Sequence, residues 1–270
     1  MRRKFITFAD SRLTGALTRI AKQAHAMAFF DEIETLTEKD LDAAYIEENK
    51  HLLKRGVRGF GYWIWKPYVI WRALQDMVEG DELYYVDAGC HLNPRGRIRM
   101  LEYAEILRQN ELGIAGFELT PDCSVRAFTK MDLLERTGVS GQNELLSRPQ
   151  ICATHVFVRK NAGSMAFLEE WLAICRDIHL VDDTPSVLPN LPCFVEHRHD
   201  QSVFSILCML HGAALLPGRE TWPENNTRDW RTMKEYPIWD KRDLGITLHS
   251  LERLLRKLRK VWSKLFSRGG

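Results

Sequence analysis

Short apolar runs recur along the chain, and most are followed by residues with helical periodicity. The first run, Lys4 to Ala9, has the composition of a buried strand and leads through Asp10 and Ser11 into a helix that carries Leu17 and Ile20. Further strands are predicted at 29–35, 83–86, 112–119, 151–158 and 215–216, and helices at 38–53, 96–110, 130–136, 162–177 and 203–210. This alternation predicts an α/β protein.

Composition is consistent with a globular chain of this class. The 270 residues are 45% hydrophobic and 27% charged, and the net charge of +2 excludes few partners. The six cysteines are widely spaced without a CxxC pair, so we expect reduced and mostly buried thiols. The apolar run that ends at Ala9 is too short for a secretory signal, and no stretch reaches the length of a spanning helix. We therefore expect a cytoplasmic protein.

The stretch from Asp81 to Asn93 contains the first candidate for chemistry. Its apolar strand ends at Asp87, and Ala88-Gly89 allows the backbone to approach a ligand. Ligands collect at the carboxyl ends of the strands in an open α/β sheet, and a carboxylate there suits Mg²⁺ or Mn²⁺. The alternative is that Asp87 caps a helix or closes a turn.

A second candidate lies in residues 56–74, which contain three glycines and three tryptophans and lead into an apolar helix. Pro67 suits the first turn of that helix, and Lys66 comes just before it, where a cation can reach a phosphate. The alternative is a glycine loop whose aromatic residues fill the core while Lys66 faces solvent. No GxGxxG or GxxxxGK[ST] motif is present, which argues against a dinucleotide enzyme or a P-loop NTPase.

A polar cluster at the entrance of a later helix forms the third candidate. Glu196, His197, His199, Asp200 and Gln201 lie within six positions, directly before the apolar run 203–210. Asp200 or Ser202 alone would be explained as an N-cap. Two histidines and two carboxylates exceed what one cap requires, so a functional role for part of this cluster is expected.

The chain ends in a basic amphipathic segment, residues 251–270. Leucines recur at helical spacing, lysines and arginines fill the other faces, and Glu252 is the only acid. This pattern predicts a helix that lies on an anionic membrane, where each basic residue adds roughly 1 kcal/mol. Docking of the same stripe on the protein's own core is the alternative. Nucleic acid is disfavoured because no other basic patch with aromatic residues is present.

The order of these motifs resembles the metal-dependent GT-A glycosyltransferases, with the nearest layout in glycosyltransferase family 8, the group of glycogenin and bacterial lipooligosaccharide galactosyltransferases. The chain is also similar to bacterial polysaccharide or lipopolysaccharide sugar transferases that carry GYGYWIWKP, YxDAG and HDQS motifs. Here these read GFGYWIWKP (59–67), YYVDAG (84–89) and HDQS (199–202). The resemblance implies a single GT-A (Rossmann-like) domain over residues 1–250, with a mixed central sheet flanked by helices.

The resemblance also implies roles for individual residues. Asp87 and His249 would bind a divalent ion, Mn²⁺ or Mg²⁺, although Gly89 stands where family 8 has a second aspartate. Asp200 and Gln201 would lie beside the reacting sugar carbon, with Glu196 or His199 as further catalytic candidates. The nucleotide sugar, expected to be UDP-linked, would be bound by Phe8, Ala9, Asp10, Tyr62, Trp65, Lys66, Asp87, Ala88 and Gly89.

These roles predict transfer of a sugar to a polysaccharide or lipid-linked glycan in the synthesis of bacterial lipopolysaccharide or capsule. The enzyme would sit on the inner face of the plasma membrane through residues 251–270. Two alternatives remain open: a metal-dependent hydrolase that uses His197, His199 and Asp200, and a non-catalytic, membrane-associated glycan-binding subunit.

Overall fold

The computed structural model describes residues 1–223 and 227–243. The strands are β1 (Arg3–Phe8), β2 (Glu32–Leu36), β3 (Glu82–Val86), β4 (His91–Leu92), β5 (Ile114–Glu118), β6 (Ile151–Arg159), β7 (Ala214–Pro217) and β8 (Ile238–Trp239). The helices are α1 (Thr14–Met27), α2 (Ala43–Asn49), α3 (Gly59–Tyr62), α4 (Trp65–Gln75), α5 (Arg97–Gln109), α6 (Val125–Phe128), α7 (Met131–Arg136), α8 (Asn143–Ser147), α9 (Ala162–Arg176) and α10 (Asp200–His211). His249 and the predicted helix 251–270 lie outside the described residues.

Six strands form the central sheet in the order β2-β1-β3-β6-β5-β7. Neighbouring strands are parallel except for β6, which is antiparallel to both β3 and β5. The predicted α/β class, with a mixed sheet flanked by helices, is confirmed. Because β6 runs in the opposite direction, its first residues lie at the edge where β1 and β3 end, and His155 pairs with Val86 there.

Each face of the sheet has its own hydrophobic core. Along β3, Leu83 and Tyr85 pack on one face with α4, α9 and α10, while Tyr84 and Val86 pack on the other with α1 and α5. The alternation follows from the two-residue period of a strand, and burial on both faces explains why β3 is apolar from Leu83 to Val86. The result is a sheet between two helical layers.

Several predicted boundaries differ from the observed ones. The helix predicted from Glu38 to Leu53 is only the seven-residue α2, and the strand predicted at 29–35 begins at Glu32. Helix α4 begins at Trp65, so Lys66 lies inside its first turn rather than before it. The segment 219–243, predicted as coil, contains β8, which pairs with β4 beside the end of β3.

The cysteines agree with the expectation of reduced and mostly buried thiols. All six are free and four of them are buried. Among the described residues, no helix is long and apolar enough to cross a membrane.

Candidate functional site

Asp87 follows β3 directly and lies at the carboxyl edge of the sheet. Its backbone N–H donates to the Thr154 carbonyl at 2.9 Å, which continues the β3–β6 pairing by one residue. The Tyr85 hydroxyl donates to Asp87 Oδ1 at 2.5 Å, and the Asp87 side chain remains 29% exposed. Asp87 therefore neither caps a helix nor lies sealed in the core, and its carboxylate can reach a ligand.

Lys66 joins Asp87 to the third candidate region. Its Nζ lies 3.3 Å from Asp87 Oδ1 and 3.2 Å from Asp200 Oδ2, although its side chain is only 3% exposed. It also donates to the Ala153 carbonyl at 3.0 Å. Three regions that are distant in sequence thus meet at one ammonium group, and the alternative of a solvent-facing Lys66 is wrong.

An irregularity in β6 makes the Ala153 carbonyl available to Lys66. The β5–β6 register shifts between Phe117, which pairs with Cys152, and Ala115, which pairs with Phe157. Such bulges remove backbone groups from regular pairing and often re-aim groups near binding sites. Here the freed carbonyl becomes the third partner of a buried lysine.

The charges in this cluster do not balance, because one ammonium group faces two carboxylates. Burial alone would lower the pKa of Lys66, but Asp200 and Asp87 outweigh burial and raise it, so Lys66 remains protonated. Burial, together with the charge of Asp87, raises the pKa of Asp200 to about 6 despite the opposing effect of Lys66. At neutral pH the cluster carries a net negative charge.

The backbone on both sides of this cluster is strained. Residues 59–63 all have positive φ, including Phe60, Tyr62 and Trp63, so α3 is a left-handed turn. For side chains with a Cβ this costs roughly 1–2 kcal/mol per residue. His199, directly before Asp200, has φ 54° and ψ −129°. Strain of this kind clusters at functional sites.

The two strained segments contact each other through aromatic rings. The His199 ring lies between Tyr62 and Trp63, with centroid distances of 5.5 and 5.4 Å. Lys66 follows this turn, and Asp200 follows His199. The contacts between the rings therefore hold the lysine and the carboxylate close to each other.

The two histidines of the cluster differ in how their ring nitrogens are used. His197 accepts from the Lys130 backbone N–H and is bonded to the Leu180 carbonyl, so both its nitrogens are engaged by backbone. His199 Nδ1 lies 2.7 Å from the Val181 carbonyl and must therefore carry the proton. Its buried Nε2 has no hydrogen-bond partner, and the nearest acid, Asp183 Oδ1, lies 3.6 Å away.

Burial keeps both rings neutral. Burial, together with the nearby His199 and Lys130, lowers the pKa of His197 to about 3. Burial also lowers the pKa of His199, although the hydrogen bond to the Val181 carbonyl acts in the opposite direction. His199 Nε2 thus carries a lone pair that no hydrogen-bond donor among the described residues satisfies. The engaged nitrogens of His197 argue against a hydrolase metal site in this cluster.

The other two residues of this region have partners of their own. Gln201 donates to Gln150 Oε1 at 2.8 Å, which fixes its amide beside the start of α10. Glu196 pairs with Arg198 at 2.8 Å and is 45% exposed. Glu196 also lines a cavity of about 210 Å³ together with Asp183 and His197. This cavity therefore reaches Asp183, the acid beside His199.

The residues predicted to bind the nucleotide sugar are arranged around the ends of β1 and β3. Phe8 stacks on Trp65 with a centroid distance of 4.1 Å, and Ala9 packs against Ala88. Trp65 is buried and donates to the Gly59 carbonyl at 2.9 Å.

The other residues predicted to bind the nucleotide sugar at this edge already have hydrogen-bond or ion-pair partners within the protein. Asp10 is bound by the Arg12 guanidinium at 2.6 Å. The Ala88 carbonyl accepts from Arg19 at 2.8 Å, and the Gly89 carbonyl accepts from the Asp243 backbone N–H at 2.8 Å. The loop after Asp87 is therefore held rigidly at the sheet edge, a property that a binding loop needs.

The structure offers two places for a metal ion. Asp87 supplies one accessible carboxylate, which fits the way Mg²⁺ is bound through one or two carboxylates plus substrate phosphates. Gly89 supplies no second one, and His249 lies outside the described residues. Separately, Cys90, His155 and Asp240 bring three ligand atoms within 4.8 Å of one another.

Sequence reasoning missed several residues that complete this edge. Tyr85, Ala153 and His155 come from strands whose apolar pattern gave no sign of their polar contacts. Asp240 lies in a segment without recognisable motif. The sequence DAGC puts Cys90 close to Asp87, and this proximity was the one signal in the sequence for the second possible metal site.

Comparisons with known proteins find distant structural similarities. No protein-family model matches the chain, and no curated protein sequence matches it. A solved glycosyltransferase involved in glycosylation of the major capsid of PBCV-1 aligns with 88% of this chain and 94% of its own, at 10% identity and a TM-score of 0.47. Mouse xyloside xylosyltransferase 1 aligns with 88% and 96%, at 9% identity and a TM-score of 0.42.

The galactosyltransferase LgtC, solved with donor and acceptor sugar analogs, aligns with 87% of this chain and 86% of its own, at 12% identity and a TM-score of 0.41. Scores in this range do not establish a shared fold. By its own topology, the chain is an α/β protein with a mixed six-stranded sheet and a charged cluster at the carboxyl edge.

Proposed function

We propose that the chain is a glycosyltransferase that moves a sugar from a nucleotide-sugar donor to a glycan acceptor. The observation that carries the proposal is the meeting of Asp87, Lys66 and Asp200 at the carboxyl edge of the sheet, with Asp87 open to solvent. The ordered motifs GFGYWIWKP, YYVDAG and HDQS supply these three residues, and their resemblance to sugar transferases supports the same reaction.

The excess negative charge favours a donor that arrives with a cation. A bare diphosphate would be repelled by two carboxylates facing one ammonium group, whereas a nucleotide sugar carrying Mg²⁺ or Mn²⁺ brings the missing positive charge. When bound, the ion would neutralise the charge that develops on the leaving diphosphate. Asp87 is the residue that would hold it, since its carboxylate is partly exposed.

Lys66 acts in this proposal by positioning. Its Nζ already has three polar contacts, to Asp87, Asp200 and the Ala153 carbonyl. It therefore holds the Asp87 carboxylate towards the diphosphate and the Asp200 carboxylate towards the sugar. Because the anomeric carbon gains positive charge as the bond to phosphate breaks, a fixed carboxylate at Asp200 stabilises the transition state.

His199 is the residue we assign to the acceptor. The lone pair on its buried Nε2 and the Asp183 carboxylate are both hydrogen-bond acceptors, and they face each other at 3.6 Å. A hydroxyl that donates a hydrogen bond to Nε2 would remove the unfavourable contact between two acceptors. It would also be positioned to lose its proton to Nε2. An acceptor sugar would reach this point through the cavity lined by Asp183 and Glu196.

We further propose that the acceptor is a polysaccharide or a lipid-linked glycan of the bacterial cell surface. The support is the basic amphipathic pattern of residues 251–270, which would confine the enzyme to an anionic membrane and raise the effective acceptor concentration. A chain truncated after residue 250 should no longer sediment with phosphatidylglycerol vesicles. Undiminished sedimentation would contradict the anchor.

The proposed reaction is tested by nucleotide release. The purified chain is incubated with Mn²⁺ and a panel of nucleotide sugars, and free nucleoside diphosphate is measured. We expect slow release from at least one donor, faster release with a suitable glycan acceptor, and loss of both in Asp87→Ala. Asp182→Ala, which removes a carboxylate from a different lysine and lines the cavity proposed for the acceptor rather than the donor site, is the matched control for release without acceptor. Absence of release from every donor contradicts the proposal.

A further inference from the structure

A second cluster of side chains lies beside the proposed donor site and takes no part in the proposed reaction. Cys90 Sγ is 3.3 Å from Asp240 Oδ1 and 3.8 Å from His155 Nε2, and His155 Nε2 is 2.6 Å from Asp240 Oδ1. The side chain of His155 is 0% exposed, that of Asp240 is 15% exposed, and Cys90 is buried. One sulfur, one nitrogen and one oxygen thus converge from three separate segments.

These distances are close to those that a bound zinc ion requires. Tetrahedral bonds of about 2.3 Å to sulfur and about 2.0–2.1 Å to nitrogen and oxygen place the ligand atoms roughly 3.3–3.6 Å apart. The two distances from Cys90, 3.8 Å and 3.3 Å, lie within about 0.3 Å of this spacing. Only the His155–Asp240 pair has to open, by less than about 1 Å on the same geometry.

The chemistry of the three donors selects the kind of ion. A thiolate with an imidazole and a carboxylate suits zinc and similar thiophilic metals, whereas Mg²⁺ and Mn²⁺ prefer oxygen ligands. This set therefore differs in kind from the oxygen site expected at Asp87. Three protein ligands leave a fourth position for water, and Asp240 is the ligand that reaches solvent.

The carboxylate is held in place from behind, as metal ligands usually are. The Thr221 hydroxyl donates to Asp240 Oδ2 at 3.0 Å, and the Asp240 backbone N–H donates to the Thr221 carbonyl at 2.9 Å. These bonds aim Oδ1 at Cys90 and His155. His155 Nδ1 is buried and has no hydrogen-bond partner among the described residues, so the ring's polar contacts all run through the nitrogen that faces the cluster.

We propose that Cys90, His155 and Asp240 form a zinc site that ties the segment of β8 to the edge of the central sheet. The ion would displace the proton of the Cys90 thiol, and the proton that His155 Nε2 shares with Asp240 would move to Nδ1 so that Nε2 can coordinate. The site would connect the loop after Asp87 to a segment 150 residues further along the chain. Its role is to stabilise this edge of the protein, and it does not depend on the proposed transferase activity.

Zinc binding is tested on the full chain with metal analysis and cobalt spectroscopy. After exposure to Zn²⁺ and desalting, the wild type should retain stoichiometric zinc and unfold at a higher temperature than the EDTA-treated protein. With Co²⁺ it should show a thiolate-to-cobalt charge-transfer band. Cys90→Ala should lose the band and the zinc-dependent rise in Tm. Cys208→Ala, which removes a buried thiol in the opposite core, should keep both.

Two further variants keep the outcome decisive. Cys90→Ser preserves the size of the side chain, so it should fold where Cys90→Ala does not, and it should still lack the charge-transfer band. Asp87→Ala should retain zinc, because Asp87 is not among the three ligands. The proposal is overturned if the wild type retains no zinc, if Cys90→Ser keeps the cobalt band, or if zinc is lost in Asp87→Ala while Cys90→Ser retains it.

Discussion

Two buried lysines, Lys66 and Lys130, show how the same side chain can be held for different purposes. Lys130 is 2% exposed, and its Nζ contacts Asp182 Oδ1 at 3.1 Å and the carbonyls of Asp182 and Thr184. Its three partners belong to one short loop, and one carboxylate balances its charge. The partners of Lys66 come from three distant segments and include two carboxylates.

The difference indicates which lysine is structural. Lys130 closes a loop with a neutral pair and leaves no excess charge. Lys66 leaves an excess negative charge, and one of its carboxylates is 29% exposed. A buried ion pair is weak evidence for stability by itself, so an unbalanced one that opens to solvent is better explained by ligand binding.

The largest expected effect is on turnover, and it distinguishes Asp87, which pairs with Lys66, from Asp182, which pairs with Lys130. Asp87→Ala should lower turnover by roughly 10²–10³-fold, the usual cost of losing one electrostatic contact to the transition state. Asp182→Ala should leave nucleotide release in the absence of acceptor unchanged, because Asp182 lies at the cavity proposed for the acceptor and not at the donor site. Nucleotide release from the same donor, measured with both variants, checks this. Equal losses would mean that the two lysines do not differ in function.

The next effect concerns stability. Lys66→Met leaves Asp200 buried without its partner and should lower the free energy of unfolding by about 3–5 kcal/mol. Replacing both residues, Lys66→Met with Asp200→Leu, should recover most of that loss because no unpaired charge remains. Lys130→Met should cost less, since Asp182 keeps the backbone N–H of Thr184. Urea unfolding of the four proteins tests this order, and a double variant no more stable than Lys66→Met would refute it.

The pH dependence follows from Asp200, whose pKa of about 6 lies above its ordinary value. If its charged form is required, turnover should fall about tenfold per pH unit below 6. The stability effect has the opposite sign: the folded state binds the proton more tightly, so stability is lost as pH rises from about 4 to 6, on the order of 3 kcal/mol. Both effects should disappear in Asp200→Asn, apart from its lower turnover. A wild-type profile without an acidic limb would contradict this assignment.

The smallest expected effect tests the strained turn. Gly59 has φ +59°, and a Cβ there would lie 2.4 Å from the Trp63 ring, so Gly59→Ala should lower stability by roughly 1–2 kcal/mol and move Trp63 away from His199. Gly56→Ala is the matched control, because a Cβ at Gly56 meets nothing within 4 Å. Thermal unfolding and tryptophan fluorescence compare the two. If Gly59→Ala behaves like Gly56→Ala, the turn is not held as described.

The sequence was sufficient for the sheet and for the three charged residues, because each depends on a local pattern. β3 has an uninterrupted apolar run, and Lys66, Asp87 and Asp200 each stand at the boundary of an apolar element. The left-handed turn could not be predicted in this way, since Phe60, Tyr62 and Trp63 adopt a conformation that their propensities disfavour. Only the packing of the whole chain holds them there.

Contacts between distant segments were equally inaccessible from the sequence. Cys90 and His155 are 65 positions apart, and Cys90 and Asp240 are 150 apart, so no spacing rule relates them. The prediction that His249 binds a metal, and the predicted membrane helix at 251–270, fall outside the described residues and stay predictions. Asp240 shows that a different residue of the same C-terminal region reaches the edge of the sheet beside Asp87.

Thermal unfolding with Mn²⁺ and a panel of nucleotide sugars tests the central claim most directly, because only a ligand that prefers the folded state raises Tm. The account predicts that at least one nucleotide sugar raises the Tm of the wild type and of Asp182→Ala. The same compound should not change the Tm of Asp87→Ala. An unchanged wild-type Tm with every nucleotide sugar, or an equal rise in Asp87→Ala, would contradict a donor site at Asp87.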